Sequence, residues 1–281
     1  MGWILQKWAD LLVRLTPVQS ERLARVFAAI WFRFLRIRRG LMLQNLKVAF
    51  PELGVEAHRK IAEESLGHFL MTVFEFLRAP VIDPVPDVEV VGREHLVRAL
   101  EKNQGVYVLC FHLGNWEVMG ATMTRLIAPS YVLVKKVGFG SLDRFVSQIR
   151  QTIGFLTVAR KKKGDGFARI KEILGRGEIV GFVMDQARPG EPKLPFFGKP
   201  AKTNTSLAAI HQKMSAPIVP GYMIRRSFGK HTLVFEPELL LPVTGDEKQD
   251  IVERSILFNR VVEEAVRRAP QCYFWLHNRW K

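Results

Sequence analysis

From residue 106 onward, short apolar runs alternate with stretches whose apolar positions recur at helical spacing, and this alternation limits the possible folds more than any other feature of the chain. Strand-like runs at 106–111, 131–134, 155–158 and 179–184 are followed in turn by helix-like segments at 117–126, 142–151, 167–174 and 203–213. Strands at 218–223 and 232–235, a helix at 251–268 and an aromatic tail complete the pattern. Such an order predicts an α/β fold, a mixed but largely parallel sheet flanked by helices. Residues 179–184 are apolar throughout, as a central strand covered on both faces must be. Upstream, 55–77 repeats with helical period until Pro80, Pro84 and Pro86 break the chain.

Ligands of open α/β sheets bind beyond the carboxyl ends of the strands. His112 and Asp185 each lie just past a predicted strand and are therefore expected on one edge of the sheet. Glu117 follows His112 by five positions, in the predicted first turn of the next helix. A histidine accepts a proton at neutral pH most effectively when a carboxylate fixes its tautomer and stabilises the cation. His112 and Glu117 thus read as general base and orienter; the competing reading is a strand-end histidine and a glutamate favoured by a helix N-terminus. The chain contains no Gly-x-Ser-x-Gly, no Gly-x-x-x-x-Gly-Lys, no Gly-x-Gly-x-x-Gly and no His-Glu-x-x-His. Covalent and metal mechanisms therefore lack their usual parts, and direct activation of a bound nucleophile is what remains.

The formal charge of +15 points to an anionic partner, whether nucleic acid, membrane surface or acidic protein. Nucleic acid is the weakest of these, because the aromatic residues cluster with aliphatic ones rather than with the basic ones. The only two cysteines, Cys110 and Cys272, form no metal-ligand or disulfide pattern, which favours a reducing location and no metal. Near the start, Trp8, Leu11, Leu12 and Leu15 form one amphipathic set, and Leu23, Phe27, Ile30, Trp31 and Phe34 form another. Charged residues such as Lys7, Asp10, Arg14 and Arg22 interrupt both, so no spanning helix and no secretory leader are expected. Residues 1–40 read as membrane-associating helices and 41–281 as a single α/β domain. Helices packed on that domain with a solvated basic end are the alternative.

Read with its neighbours, the His-x4-Glu motif resembles the glycerolipid acyltransferase superfamily, and in particular the lipid A biosynthesis acyltransferases. The fragments carrying that resemblance are Asn45-Leu46 with Phe50-Pro51-Glu52, Phe111-His112 with Asn115-Trp116-Glu117, Asp185-Gln186, Pro195-Phe196-Phe197-Gly198 with Thr203, and Tyr273-Phe274-Trp275-Leu276-His277. The resemblance implies a glycerolipid-acyltransferase-like fold and transfer of an acyl chain from an acyl thioester to a glycolipid hydroxyl at the cytoplasmic face of the inner membrane. No cofactor is implied; the co-substrate is acyl-carrier protein or acyl-CoA carrying the acyl group, and the charge balance favours the acidic carrier protein. Catalysis is expected of His112 and Glu117, substrate contacts of Asn115, Arg150, Asp185 and Gln186. Arg150 matches a family arginine downstream of the pair and is expected to contact an acceptor phosphate or the thioester, although it also reads as a solvated helix residue. Asp185-Gln186 reads equally as a cap for the following loop, and Pro195-Phe196-Phe197-Gly198 as an apolar wall or as core. The basic run Arg160-Lys161-Lys162-Lys163 reads as a solvated loop or a docking patch for carrier protein or headgroups. Two departures concern the tail, with Gln271-Cys272 and Asn278 where relatives differ, and the charged N-terminus favours peripheral attachment over an integral helix.

Overall fold

The computed structural model describes residues 2–134, 140–159, 165–186 and 190–280, so the basic run at 160–163 lies outside the described residues. Four helices come first: α1 (Gly2–Arg14), α2 (Pro17–Ile30), α3 (Arg39–Ala49) and α4 (Val55–Arg78). They are followed by β1 (Val88–Val91), α5 (Arg93–Leu100), β2 (Val106–Cys110), α6 (Trp116–Leu126), β3 (Ser130–Val134), α7 (Gly140–Thr152), β4 (Leu156–Ala159), α8 (Asp165–Gly175) and β5 (Ile179–Val183). The hairpin β6 (Lys193–Phe196) and β7 (Lys199–Lys202) precedes α9 (Ser206–Lys213), β8 (Ile218–Ser227), β9 (Lys230–Phe235) and α10 (Glu247–Arg268). Seven strands form one sheet in the order β1-β9-β8-β2-β5-β3-β4. Every neighbouring pair runs parallel except β8 with β9.

Burial explains why the central strands read as continuous apolar runs. One face of β2 and β5 packs Val108, Cys110 and Val183 against Met119 and Met123 of α6. The other face packs Tyr107, Leu109, Val180 and Phe182 against α8, α9 and Phe258 of α10. With both faces covered, alternation has no polar side to show.

The N-terminal helices are inlaid on the domain. Thr16 and Gln19 form a reciprocal capping box at the start of α2, with Pro17 in the first turn. Ala24 and Ala28 then let α2 lie close along α4, and Phe32 joins the same core cluster as Leu46 and Leu66. A single π-helical turn, Trp31–Leu35, ends at Arg36 in the left-handed region, and the Trp31 indole donates to the Ile37 carbonyl at 2.9 Å. The outer face keeps Val18, Val26, Ile30, Phe34, Leu35 and Ile37 exposed, Phe34 at 77%. Among the described residues no helix is long and apolar enough to cross a membrane.

Candidate active site

The parallel register of β2 and β5 sets Cys110 beside Val183, and the Met184 N–H continues the ladder to the Cys110 carbonyl at 2.9 Å. Two residues further on, His112 and Asp185 must be neighbours. They are joined twice: the His112 N–H donates to Asp185 Oδ2 at 3.0 Å, and the ring Nδ1 lies 2.8 Å from Oδ1. With Nδ1 carrying the proton toward a carboxylate, Nε2 is the ring nitrogen left with a lone pair. The His112 side chain is 20% exposed and Asp185 only 2%, so Asp185 supports the ring from behind.

The chain's end completes the clamp. The Phe274 N–H donates to the His112 carbonyl at 3.1 Å, and the Gly114 N–H to the Cys272 carbonyl at 3.0 Å. Burial, with the charge of Asp185, raises the Tyr273 phenol well above the usual range. Trp116 stands edge-on to the imidazole at 4.9 Å between ring centroids, with Phe274 at 5.9 Å. Burial opposes a charge on His112, yet the charge and hydrogen bond of Asp185, helped by the charge of Glu117, leave its pKa raised above the ordinary 6.5. Asp185 is correspondingly held low: burial alone would raise it, and His112 and Arg279 outweigh that.

Asp185, rather than the Glu117 expected from spacing, is the carboxylate hydrogen-bonded to the His112 ring. Glu117 sits in the first turn of α6 and grips Arg150 of α7 with both oxygens, at 2.8 Å to Nε and 2.6 Å to an Nη. The Arg150 guanidinium also stacks over the Phe155 ring, 5.3 Å from its centroid. Asn115, expected as a substrate contact, has a structural place instead. It is fully buried and caps α6, its Oδ1 accepting from the N–H groups of Glu117 and Val118, both at 3.1 Å.

His112, Glu117, Arg150 and Gln186 line one cavity of about 490 Å³, together with Asn204 and Ser206, two residues the sequence did not single out. The rest of its wall is apolar, with Met119, Met123, Val132, Phe155 and Val183. Gly181 keeps the sheet surface open there, since a Cβ would stand 2.9 Å from a Val132 methyl. A glycine inside an otherwise bulky, buried apolar strand was the available sign of this groove. The wall therefore offers a proton acceptor and a cation at one part and a hydrocarbon surface at another, as an amphiphilic substrate requires. Among the described residues no three His, Cys, Asp or Glu side chains gather as a metal site. A cavity of about 630 Å³ lies between α2, α3 and α4, but within its lining Arg33 pairs with Glu63 and Arg59 with Glu56, and it contains no histidine.

Residues 3–281 match the family model described as bacterial lipid A biosynthesis acyltransferase. A lipid A biosynthesis palmitoleoyltransferase of Escherichia coli K12 is 26% identical over 257 residues, covering 88% of this chain and 80% of the relative. A lipid A biosynthesis lauroyltransferase of the same organism is 25% identical over 277 residues, covering 96% of this chain and 88% of the relative. Among solved structures, the 1-acyl-sn-glycerophosphate acyltransferase PlsC of Thermotoga maritima aligns over 89% of this chain and 98% of its own, with 15% identity and a TM-score of 0.41.

Proposed function

The chain belongs to the family of bacterial lipid A biosynthesis acyltransferases and is an acyltransferase; on that premise we propose that His112 is the general base by which it acylates a lipid A precursor. The observation that carries the reading is His112 in the wall of a mostly apolar cavity, its ring backed by the buried Asp185. Nε2 removes the proton of the acceptor hydroxyl as its oxygen attacks the thioester carbonyl. Asp185 stabilises the imidazolium so formed, and the imidazolium returns the proton to the departing thiolate. An ester bond forms, a thioester bond breaks, and no acyl-enzyme intervenes. Glu117 adds negative charge near the ring and holds Arg150, whose fork suits an acceptor phosphate or the thioester oxygen. Gln186 lines the same cavity and positions the acceptor hydroxyl.

The donor in this reading is acyl-carrier protein, an acidic partner for a chain of charge +15. Purified enzyme supplied with a lipid A precursor and either acyl-carrier protein or CoA bearing the same acyl group is expected to use the carrier protein. Exclusive use of acyl-CoA would overturn that choice in favour of a CoA-dependent phospholipid or mannoside acyltransferase.

The acyl chain occupies the apolar wall between α6 and the sheet. Gly181→Val fills part of that groove and is expected to move preference to shorter acyl donors, by roughly tenfold in relative kcat/KM. Competition among donors of graded length, read by mass spectrometry of the product, checks this; an unchanged length profile would place the chain elsewhere.

The exposed apolar face of α2 and the following turn, flanked by Arg33, Arg36 and Arg38, is the surface proposed to rest on the anionic cytoplasmic face of the inner membrane. Because Ala24, Ala28 and Phe32 belong to the core, deleting this segment would damage the fold. The double substitution Phe34→Asp with Leu35→Asp changes only the exposed face and is expected to lower recovery with anionic vesicles several-fold. Equal sedimentation of the variant and the parent protein would contradict it.

A further inference from the structure

Beneath the turn that carries His112 lies a buried cluster of charge on α4, β8 and β9. Glu75 of α4 is almost fully buried, and its carboxylate collects donors from three directions. It accepts from the Asn115 amide at 2.7 Å, from the Gly229 N–H at 2.6 Å and from the Arg225 guanidinium, with His231 Nε2 3.3 Å away. A second line runs beside it. Arg225 donates to the Thr72 hydroxyl at 2.9 Å, and that hydroxyl lies 3.2 Å from the carbonyl of Gly114. Gly114 itself has φ +63°, and a Cβ there would collide with the Met223 carbonyl oxygen, so the turn is pressed onto β8.

The Asn115 amide has two ends of similar shape, and the cap needs one particular orientation. Its oxygen must face the Glu117 and Val118 N–H groups; turned over, its NH2 would oppose two other donors. A carboxylate can only accept, so Glu75 admits the NH2 end alone. We propose that Glu75 is a positioning residue for acyl transfer: it fixes the orientation of the Asn115 amide, and through it the start of α6 and the placing of Glu117 relative to His112. Burial pushes the Glu75 carboxyl up, but the charges of Arg225 and His231 and the Gly229 N–H bring it down to about 2, so it stays an acceptor throughout the working range. A buried ion cluster is a poor source of net stability compared with apolar packing of the same volume, whereas orientation is something apolar packing cannot supply. The inference rests on the reading of His112 as base.

Glu75→Gln keeps the shape but brings an NH2 that must face one of the donors around it. The expected result is a folded enzyme with kcat roughly 10²-fold lower, the cost of misplacing a catalytic group by about 1 Å. KM for the acyl donor should change by less than about threefold, because Glu75 lies outside the cavity and no residue of its apolar wall is substituted. The double variant Glu75→Gln with Asn115→Asp moves the carboxylate to the other end of the same hydrogen bond. Either oxygen of the relocated carboxylate then caps α6 while the introduced amide donates to it, and kcat is expected to recover to about tenfold or more above the single variant. Should Glu75→Gln fail to fold, Asn115→Ser serves instead: serine caps a helix about as well as asparagine but is too short to reach Glu75, so kcat should fall in a protein that stays folded, its melting temperature lowered by the one donor Glu75 loses. Wild-type kcat in folded Glu75→Gln or in Asn115→Ser would overturn the inference, as would a double variant no faster than Glu75→Gln. If His112→Ala is inactive while Glu75→Gln is fully active, this inference alone fails; if His112→Ala is active, the base assignment beneath it fails.

Discussion

Replacing His112 with alanine is expected to leave the protein folded and to lower kcat by roughly 10²–10⁴-fold, the usual worth of a positioned general base. The backbone hydrogen bonds of residue 112, donating to Asp185 and accepting from Phe274, do not involve the ring and survive the substitution. What is lost is the ring itself, packed between Trp116 and Phe274, and one of the partners of Asp185. Leaving that buried acceptor short of a donor costs about 1–3 kcal/mol, less than most domains of this size hold in reserve. Circular dichroism melts paired with initial rates on a lipid A precursor check both halves of the expectation. Near-normal turnover by a folded His112→Ala enzyme would remove His112 from the chemistry.

Asp185→Asn is expected to be nearly as damaging, with a loss of roughly 10²–10⁴-fold, and for a reason that can be traced atom by atom. One oxygen of Asp185 accepts from the His112 N–H, so the oxygen of an asparagine is drawn to that donor. Its NH2 then faces Nδ1, which must accept, and the ring proton moves to Nε2. The nitrogen that should take the hydroxyl proton is thereby occupied. The pH dependence shifts as well. His112 works as a base only when neutral, and its pKa is raised, so activity should rise with pH through a value above 6.5. Removing the Asp185 charge removes the main support of the imidazolium, so the acid limb should move to lower pH. Glu117→Gln should move it less, because Glu117 affects the ring through its charge alone and hydrogen-bonds Arg150 instead. Its damage should come through Arg150, left buried without its carboxylate.

The central strands and the helices between them are legible in the sequence because their burial is dictated by apolar runs and helical periodicity. Other elements are not, among them α3 and α5 as well as the strands β1, β6 and β7. Val88–Val91 is a four-residue edge strand that pairs only with β9, too short for its pattern to stand out beside Pro84 and Pro86. Residues 193–202 carry no strand signal because Pro195 and Pro200 lie within them; in the hairpin these two face one another, and a two-stranded sheet has free edges where a missing N–H costs little.

At the site, the sequence places His112 and Asp185 on one edge, yet spacing assigns the partnership to Glu117. Nearness in the chain suggests that pairing, whereas the alignment of β2 with β5 decides the contact, and register is a property of two strands rather than of either one. Asn115 reads as a substrate ligand because it belongs to the motif; the motif needs it to begin the helix. Arg150 is recognisable as a site residue, but its partner comes from α6 and depends on how α7 packs. The apolar cavity has one sign in the sequence, Gly181, and its meaning requires knowing which helix lies over that face.

The central claim is that a neutral His112, held in its tautomer by Asp185, takes the acceptor's proton directly. The pH profile of kcat/KM for acyl transfer, measured for the parent enzyme and for Asp185→Asn, tests it most directly. The expected result is an acid limb above 6.5 in the parent enzyme and a lower limb with a much reduced plateau in the variant. Superimposable limbs, or a limb in the parent enzyme well below 6.5, would contradict it.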